Sequence, residues 1–398
     1  MITKNIEKKI LSYMFITVLF VGFVKGGSYI KVQRVAEYLK QDTALLDDED
    51  ALTVDALESE FTSSLWNRRK LINFNGIMAR LLDMQGFYSD INLYVTDNMY
   101  IVSASDYTTT DYEFNEIVAF KEFLDQHEIN LLYINEPTKY IDDDLFREQF
   151  GVETYSNQNM DMFISRIKEA GIATIDLRDS IEEENLDVCD LFYRTDHHWT
   201  TEAGLWAAQI IADGLNEYFN YHIDTSIYDE SNFTLTEWTE CWLGEQGKKV
   251  AETYVGLDDY TEIKPIFTTN YTFKNSKDSY EGTFDDFINE DVYNLDNDVY
   301  ENSSWHYSYQ RIDCINNDVE FGKVLILGDS YDQITVPFIS LGVHEVDSLV
   351  LRACDDSFDL RNYILENGYD TVLICYAQFM LGAHDDPNSS NYRMFTFE

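Results

Sequence analysis

Val324-Leu325-Ile326-Leu327-Gly328-Asp329-Ser330-Tyr331 is a short apolar run that stops at a glycine turn and delivers a serine. Four branched aliphatic residues without a polar break read as a parallel strand buried on both faces. Gly328 permits a tight turn and a close backbone approach, which sets Ser330 at the mouth of the following helix. Ligands of open α/β sheets collect at the carboxyl ends of strands, where this serine falls. Main-chain N–H groups of Ser330 and Tyr331 would face a developing oxyanion there. Gly-Asp-Ser is also the pattern of ordinary helix capping by Asp329 or Ser330, so the motif needs a partner elsewhere in the chain.

Working outward, the same alternation continues on both sides. Downstream, the pattern predicts a helix over 331–341, a strand over 345–351, a helix over 357–367 and a strand over 371–376. Upstream it predicts a hairpin (91–95 with 100–102, turning at Asp97-Asn98), a helix over 115–126 and a strand over 130–135. A helix over 160–170 closed by Gly171, a strand over 172–177 and a helix over 201–219 follow. Strands alternating with helices imply an α/β domain, a parallel sheet flanked on both faces. Residues 225–320 are rich in Tyr, Asn, Asp and Thr without strong periodicity, and read as an irregular β/loop insert in or over the main sheet.

The N-terminus differs. Lys4, Lys8 and Lys9 precede an uncharged, mostly apolar run from Ile10 to Val24. The expectation is an uncleaved signal anchor, a membrane-spanning helix within 1–30, with the basic flank inside and the bulk exported. A cleaved secretory signal is the competing reading. Residues 31–70, acidic and helix-compatible, would form a stalk, leaving 71–398 as the main domain. Lys and Arg number 28 against 73 Asp and Glu, a net charge of −45, which repels nucleic acid and anionic lipid. Cys189, Cys241, Cys314, Cys354 and Cys375 are odd in number and widely spaced, neither a disulfide framework nor a zinc site, although one bridge remains open.

The partner motif is Thr195-Asp196-His197-His198-Trp199. In extended chain, residues i and i+2 share a face. Asp196 would then orient His198, and His198 would act as base toward Ser330. His197 would face away, in a supporting role, and Trp199 would pack beneath the loop. Serine, imidazole and carboxylate are together what makes a hydroxyl nucleophilic. Histidines hydrogen-bonded to backbone in a helix-entry loop, or an Asp/His metal site, would use the same letters. The rest of the chain offers no His-x-His partner for a metal, and no metal or cofactor is expected.

Asp196-x-His198-Trp199 before a helix, then a long insert, then strand-Gly328-Asp329-Ser330-Tyr331, resembles the DHHW proteins. These are relatives of the alginate O-acetylation proteins in a permuted branch of the SGNH/GDSL hydrolases. Asn135-Glu136-Pro137-Thr138-Lys139, Leu243-Gly244-Glu245-Gln246-Gly247-Lys248 and Leu257-Asp258-Asp259-Tyr260 add to the resemblance. It implies a three-layer α/β/α, flavodoxin-like SGNH core, with Ser330 as nucleophile, His198 as base and Asp196 as orienting acid. The implied activity is transfer of an acyl group, usually acetyl, to a polysaccharide hydroxyl outside the cell. A membrane-bound O-acyltransferase would be the partner that supplies it. The Gly and Asn oxyanion donors of ordinary SGNH enzymes have no clear match. Gly328, Tyr331, Tyr376, Gln378 and Arg352 are the candidates near strand ends, and Asp329 would support the turn. An acetyl esterase with the same triad, or a non-catalytic cell-surface glycan-binding scaffold, are the alternatives.

Overall fold

A computed structural model describes residues 68–139, 142–274, 278–303, 312–382 and 386–398. The expected anchor at 1–30 and nearly all of the expected stalk at 31–70 lie outside the described residues. No described helix is long and apolar enough to cross a membrane. The chain divides into two units, Met1–Met78 and Ala79–Glu398. What is described of the first is the start of the helix Arg68–Leu81. The second holds everything that follows.

Its strands are β1 (Tyr94–Val95), β2 (Ile101–Val102), β3 (Asn130–Glu136), β4 (Ala173–Asp176), β5 (Phe233–Trp242), β6 (Asp258–Pro265), β7 (Tyr271–Lys274), β8 (Ser279–Gly282), β9 (Asp313–Asn316), β10 (Lys323–Gly328), β11 (Glu345–Leu349) and β12 (Thr371–Ala377). The main sheet has eight strands in the order β4-β3-β12-β10-β11-β9-β7-β8. The first five are mutually parallel. Numbered from the serine strand β10, with β11, β12, β3 and β4 following, this order reads 2-1-3-4-5. That is the flavodoxin-like winding, met here with the chain cut at a different point, as the permuted arrangement expected from the sequence requires. The switch point of such a sheet lies at strand 1 against strand 3. In this chain it lies between β10 and β12, whose carboxyl ends carry Gly328 and Ala377.

Side-chain alternation along the strands builds the three layers. Leu132, Ile134, Val324, Ile326, Leu373 and Cys375 face one helical layer, where Thr201–Phe219 and Asp332–Ile339 pack. Leu131, Tyr133, Leu325, Leu327, Val372, Ile374 and Tyr376 face the other, with Asp111–Gln126, Ser156–Glu169 and Leu360–Asn367. Both faces are covered, so these strands show unbroken apolar runs. Ser156–Glu169 ends at Gly171, whose φ of 78° is costly for any side chain but glycine's.

One sequence expectation needs correction and one open point is settled. The insert is more regular than anticipated. β5 and β6 form a long antiparallel pair, and β7, β8 and β9 extend the main sheet antiparallel from β11. Tyr271 and Phe273 point inward and supply the alternation, but a four-residue strand between polar turns is too short for periodicity to reveal. The open question of one disulfide closes, because all five cysteines are free.

The helix that follows the histidine motif lies directly on the helix that follows the serine motif. Gly204 makes the approach possible: a Cβ there would sit 2.4 Å from Ile334 Cγ2 and 3.1 Å from its carbonyl oxygen. Gly204→Ala is therefore expected to destabilise the domain by about 1–3 kcal/mol through overpacking, despite alanine's better helix propensity. Urea denaturation measures this, and an unchanged or raised midpoint would show that the helices do not meet here.

Candidate active site

The chain from Phe192 to Trp199 forms a closed loop. Phe192 and Trp199 make an antiparallel bridge. The N–H of Tyr193 donates to the carbonyl of His198 at 3.2 Å, and that of Thr200 to Leu191 at 2.9 Å. Thr200 then caps the helix Thr201–Phe219, its hydroxyl accepting from the N–H of Ala203. Within the loop, Asp196 is fully buried. Its Oδ1 lies 2.5 Å from His198 Nδ1 and accepts from the His198 main-chain N–H at 3.1 Å. The Oδ2 accepts from the N–H of Glu245 at 2.6 Å.

The simple alternation argument needs revision here. Residues 194–198 run through successive bends and not through extended strand, so both imidazoles approach Asp196. His197 Nδ1 lies 3.2 Å from Asp196 Oδ1, and the two rings are 3.9 Å apart. What separates them is burial: the His198 side chain is 4% exposed, that of His197 36%. Asp196, His197 and His198 offer three ligand atoms within 4.8 Å of one another, a donor set that a divalent ion could accept. Both oxygens of Asp196 are nevertheless engaged by N–H groups and by the His198 ring, so a metal would have to displace the bonds that orient His198.

Electrostatics agree with an orienting carboxylate and a neutral imidazole. Burial opposes ionisation of Asp196, but His198 and His197 outweigh it and hold the carboxyl well below the usual range. Burial also pushes His198 below the ordinary imidazole value, against the opposing pull of Asp196.

Two segments that entered the sequence reading only by resemblance turn out to hold this loop. Asp258 accepts from the main-chain N–H groups of Arg194 and Thr195, each at 2.8 Å, and from the Thr195 hydroxyl at 2.5 Å. The N–H of Gly244 donates to Thr195 Oγ1 and that of Gly247 to the Thr195 carbonyl, both at 2.7 Å. A Cβ at Gly244 would lie 2.4 Å from that of Asp196, and one at Gly247 2.7 Å from that of Thr195. Lys139, just past the end of β3, donates to the carbonyls of Tyr193 and Arg194 and to Gln246 Oε1 at 3.2–3.3 Å. Burial lowers its ammonium to about 8, with Asp196 and Asp258 acting in the opposite sense.

The serine turn meets this loop through Tyr331. Its hydroxyl donates to the carbonyl of His197 at 2.5 Å, and the Trp199 indole N–H donates to the Tyr331 carbonyl at 3.2 Å. The Tyr331 ring centroid is 5.5 Å from that of His198. Trp199 thus does more than pack beneath the loop. The turn itself is braced by carboxylates: Asp329 accepts from the N–H of Tyr331 (2.9 Å) and of Ala377 (2.8 Å), and Asp332 from the N–H of Asp329 (2.8 Å). Gly328 is obligatory here, since a Cβ would fall 1.4 Å from Asp332 Oδ2. Ser330 is buried, and its carbonyl accepts from Gln333 Nε2 at 2.9 Å. Beneath the turn, burial and the Asp332 and Asp329 carboxylates push Glu136 well above the usual acid range.

The remaining candidates have other partners. The Tyr331 main-chain N–H is committed to Asp329, which leaves that of Ser330 as the candidate oxyanion donor in this turn. The Tyr376 hydroxyl donates to Met394 O at 2.5 Å. The Gln378 amide donates to Ser156 Oγ and Asn157 Oδ1. Arg352 contacts Met380 Sδ and, at 3.5 Å, Asn391 Oδ1.

Gly244→Ala should displace Asp196 and lower the turnover attributable to His198 by up to about 100-fold, the cost of an ångström-scale misplacement. Steady-state kinetics on folded protein measures it, and wild-type turnover would contradict the bracing role. A second outcome concerns pH. A base must be neutral, and the His198 value is depressed, so the acid limb of the kcat/KM profile should have its midpoint below about 6.5. Stability changes in the same window. The unfolded chain binds a proton near 6.5 that folded His198 refuses, so stability falls as pH drops from there to the folded value. A midpoint above 7 would contradict the assignment.

A family model described as "SGNH hydrolase-like domain, acetyltransferase AlgX" matches residues 90–292, a span that includes the histidine loop and both bracing segments and stops short of Ser330. Among solved structures, PatB1 of Bacillus cereus superimposes with a TM-score of 0.59 at 18% identity, covering 76% of this chain and 99% of that one. A DHHW family protein from Eubacterium siraeum gives a TM-score of 0.55 at 15% identity, covering 75% and 93%. No curated protein sequence matches. Because that family model spans more than half of the chain, this chain belongs to the SGNH hydrolase-like acetyltransferase family of AlgX.

Proposed function

We propose that the chain is a serine-dependent O-acyltransferase, most simply an acetyltransferase, acting on a polysaccharide through an acyl-serine intermediate. The observation that carries this reading is the direct contact of the two motifs through Tyr331, which brings the buried Asp196–His198 pair against the turn that bears Ser330. Ser330 Oγ attacks the acyl carbon while His198 Nε2 takes its proton. The oxyanion is held by the Ser330 N–H, and collapse expels the donor's alcohol, reprotonated by His198. A glycan hydroxyl, deprotonated by His198, then attacks the acyl-serine, and Ser330 recovers its proton as the ester leaves. Asp196 keeps the imidazole in the tautomer that presents Nε2 as acceptor. Family membership supports acetyl transfer. A second PatB1 structure is described with a sulfonyl adduct, the product expected when an activated nucleophile meets a sulfonyl reagent.

The N-terminal pattern of Lys4, Lys8 and Lys9 before the apolar run Ile10 to Val24 supports export and anchoring, with the domain on the outer side. A membrane-bound O-acyltransferase would then hand over the acyl group at that surface. The esterase alternative shares every step except the acceptor, water replacing sugar.

Turnover of a chromogenic acetyl ester by the full chain tests the triad. Ser330→Ala and His198→Ala should each lower kcat by about 10³-fold or more while circular dichroism stays native. A sulfonyl fluoride should add one equivalent of mass to wild type and none to Ser330→Ala. Wild-type activity in either mutant would refute the assignment.

A further inference from the structure

A cavity of about 750 Å³ opens at the carboxyl ends of β10 and β11, within the size range of small-ligand sites. Its inner wall includes Asp329, Asp332 and Gln333, the residues that flank Ser330 in the chain. Gln333 uses its amide N–H on the Ser330 carbonyl, which leaves its Oε1 buried without a hydrogen-bond partner, and Asp332 Oδ1 is in the same position. Both residues are 3% exposed or less. A buried polar atom in this state is costly unless a ligand or water completes it. Burial and the Asp329 carboxylate push Asp332 well above the usual acid range, and in its protonated form it donates beside an amide oxygen able to accept. A sugar hydroxyl, donor and acceptor at once, satisfies both.

The outer rim has a different character. Asp355, Asp359 and Glu366 line it and are exposed, and no Lys, Arg or His is among the lining residues. Phe358 and Tyr363, rings 5.4 Å apart, supply apolar surface between them. A uronate or phosphate group entering here would meet three carboxylates, and the neighbouring Arg393 guanidinium is already paired with Asp356 and bonded to the Asp355 carbonyl, in a chain whose net charge is −45.

Resting on the acyl-transfer reading above, we infer that this cavity is the acceptor subsite and that it takes a hydroxyl from a glycan free of acidic groups, neutral or amino-bearing, and rejects uronate polymers. The inner pair, Gln333 and Asp332, receives the hydroxyl at the wall that the serine turn and its helix contribute, and the acidic rim filters the rest of the sugar by charge.

The test uses the full chain, a chromogenic acetyl ester as donor, and three acceptors: a cello-oligosaccharide, an oligoglucosamine and an oligogalacturonate. Acetylated products are quantified by mass spectrometry. The neutral or the amino-bearing acceptor should be acetylated at least about tenfold faster than the oligogalacturonate, the size of preference that like-charge exclusion supports. The two favoured arms tell simple tolerance of neutral sugars from attraction of an amine. In the double variant Asp355→Lys/Glu366→Lys the ratio of oligogalacturonate to cello-oligosaccharide product should rise. That ratio is read within one preparation, so loss of folded protein does not affect it. Preference of the wild type for oligogalacturonate, an unmoved ratio, or ester turnover that depends on Ser330 with no acceptor acetylated would each overturn the inference and leave the serine mechanism standing. Absence of any Ser330-dependent ester turnover would instead defeat the mechanism, and the inference with it.

Discussion

One side chain joins the two halves of the site. Tyr331 sits immediately after Ser330, yet its hydroxyl is bonded to the histidine loop and its carbonyl to Trp199, 132 residues earlier. A fully buried phenol and a fully buried indole each need a hydrogen-bond partner, and here each finds it on the other's segment. The position of the serine turn relative to His198 is therefore tied to the satisfaction of two buried polar groups. Loosening one would leave a donor unpaired in the core.

Around this clamp the chain spends buried carboxylates on backbone. Asp196, Asp258, Asp329 and Asp332 each accept from main-chain N–H groups of the two loops. A carboxyl group has acceptor sites for several N–H groups at once, and these bonds hold the irregular loops in place. Glycines at 244 and 328 let Asp196 and Asp332 come close, since a Cβ at either would collide with the carboxyl, and Gly247 does the same for Thr195. The acidity of the chain is thus not only a solvated exterior. Part of it is interior scaffolding, as in Asp196, whose carboxyl is held well below the usual range.

Much of this was legible in the sequence. The parallel strands announce themselves because both their faces are buried. Ser330, His198 and Asp196 could be singled out because nucleophile, base and acid are chemically distinctive. The supporting groups were less legible. Asp258 and Gly244 stood out only through resemblance, because a carboxylate that braces a distant loop has no local periodicity. Lys139 and Asp332 are buried and bonded to the two loops, and nothing in their local sequence marks this. The approach of both His197 and His198 to Asp196 also escaped, since alternation holds for extended chain and this loop bends at each residue. The strands of the insert were obscured by their brevity.

The account stands on an acyl group passing through Ser330. Rapid quenching of the full chain during turnover of an acetyl ester, followed by peptide mapping, reads this directly. The account predicts acetyl on Ser330 in wild type, accumulating further in His198→Ala if deacylation slows more than acylation, and none at that position in Ser330→Ala. Acetyl carried on another residue while Ser330 stays unmodified would contradict it.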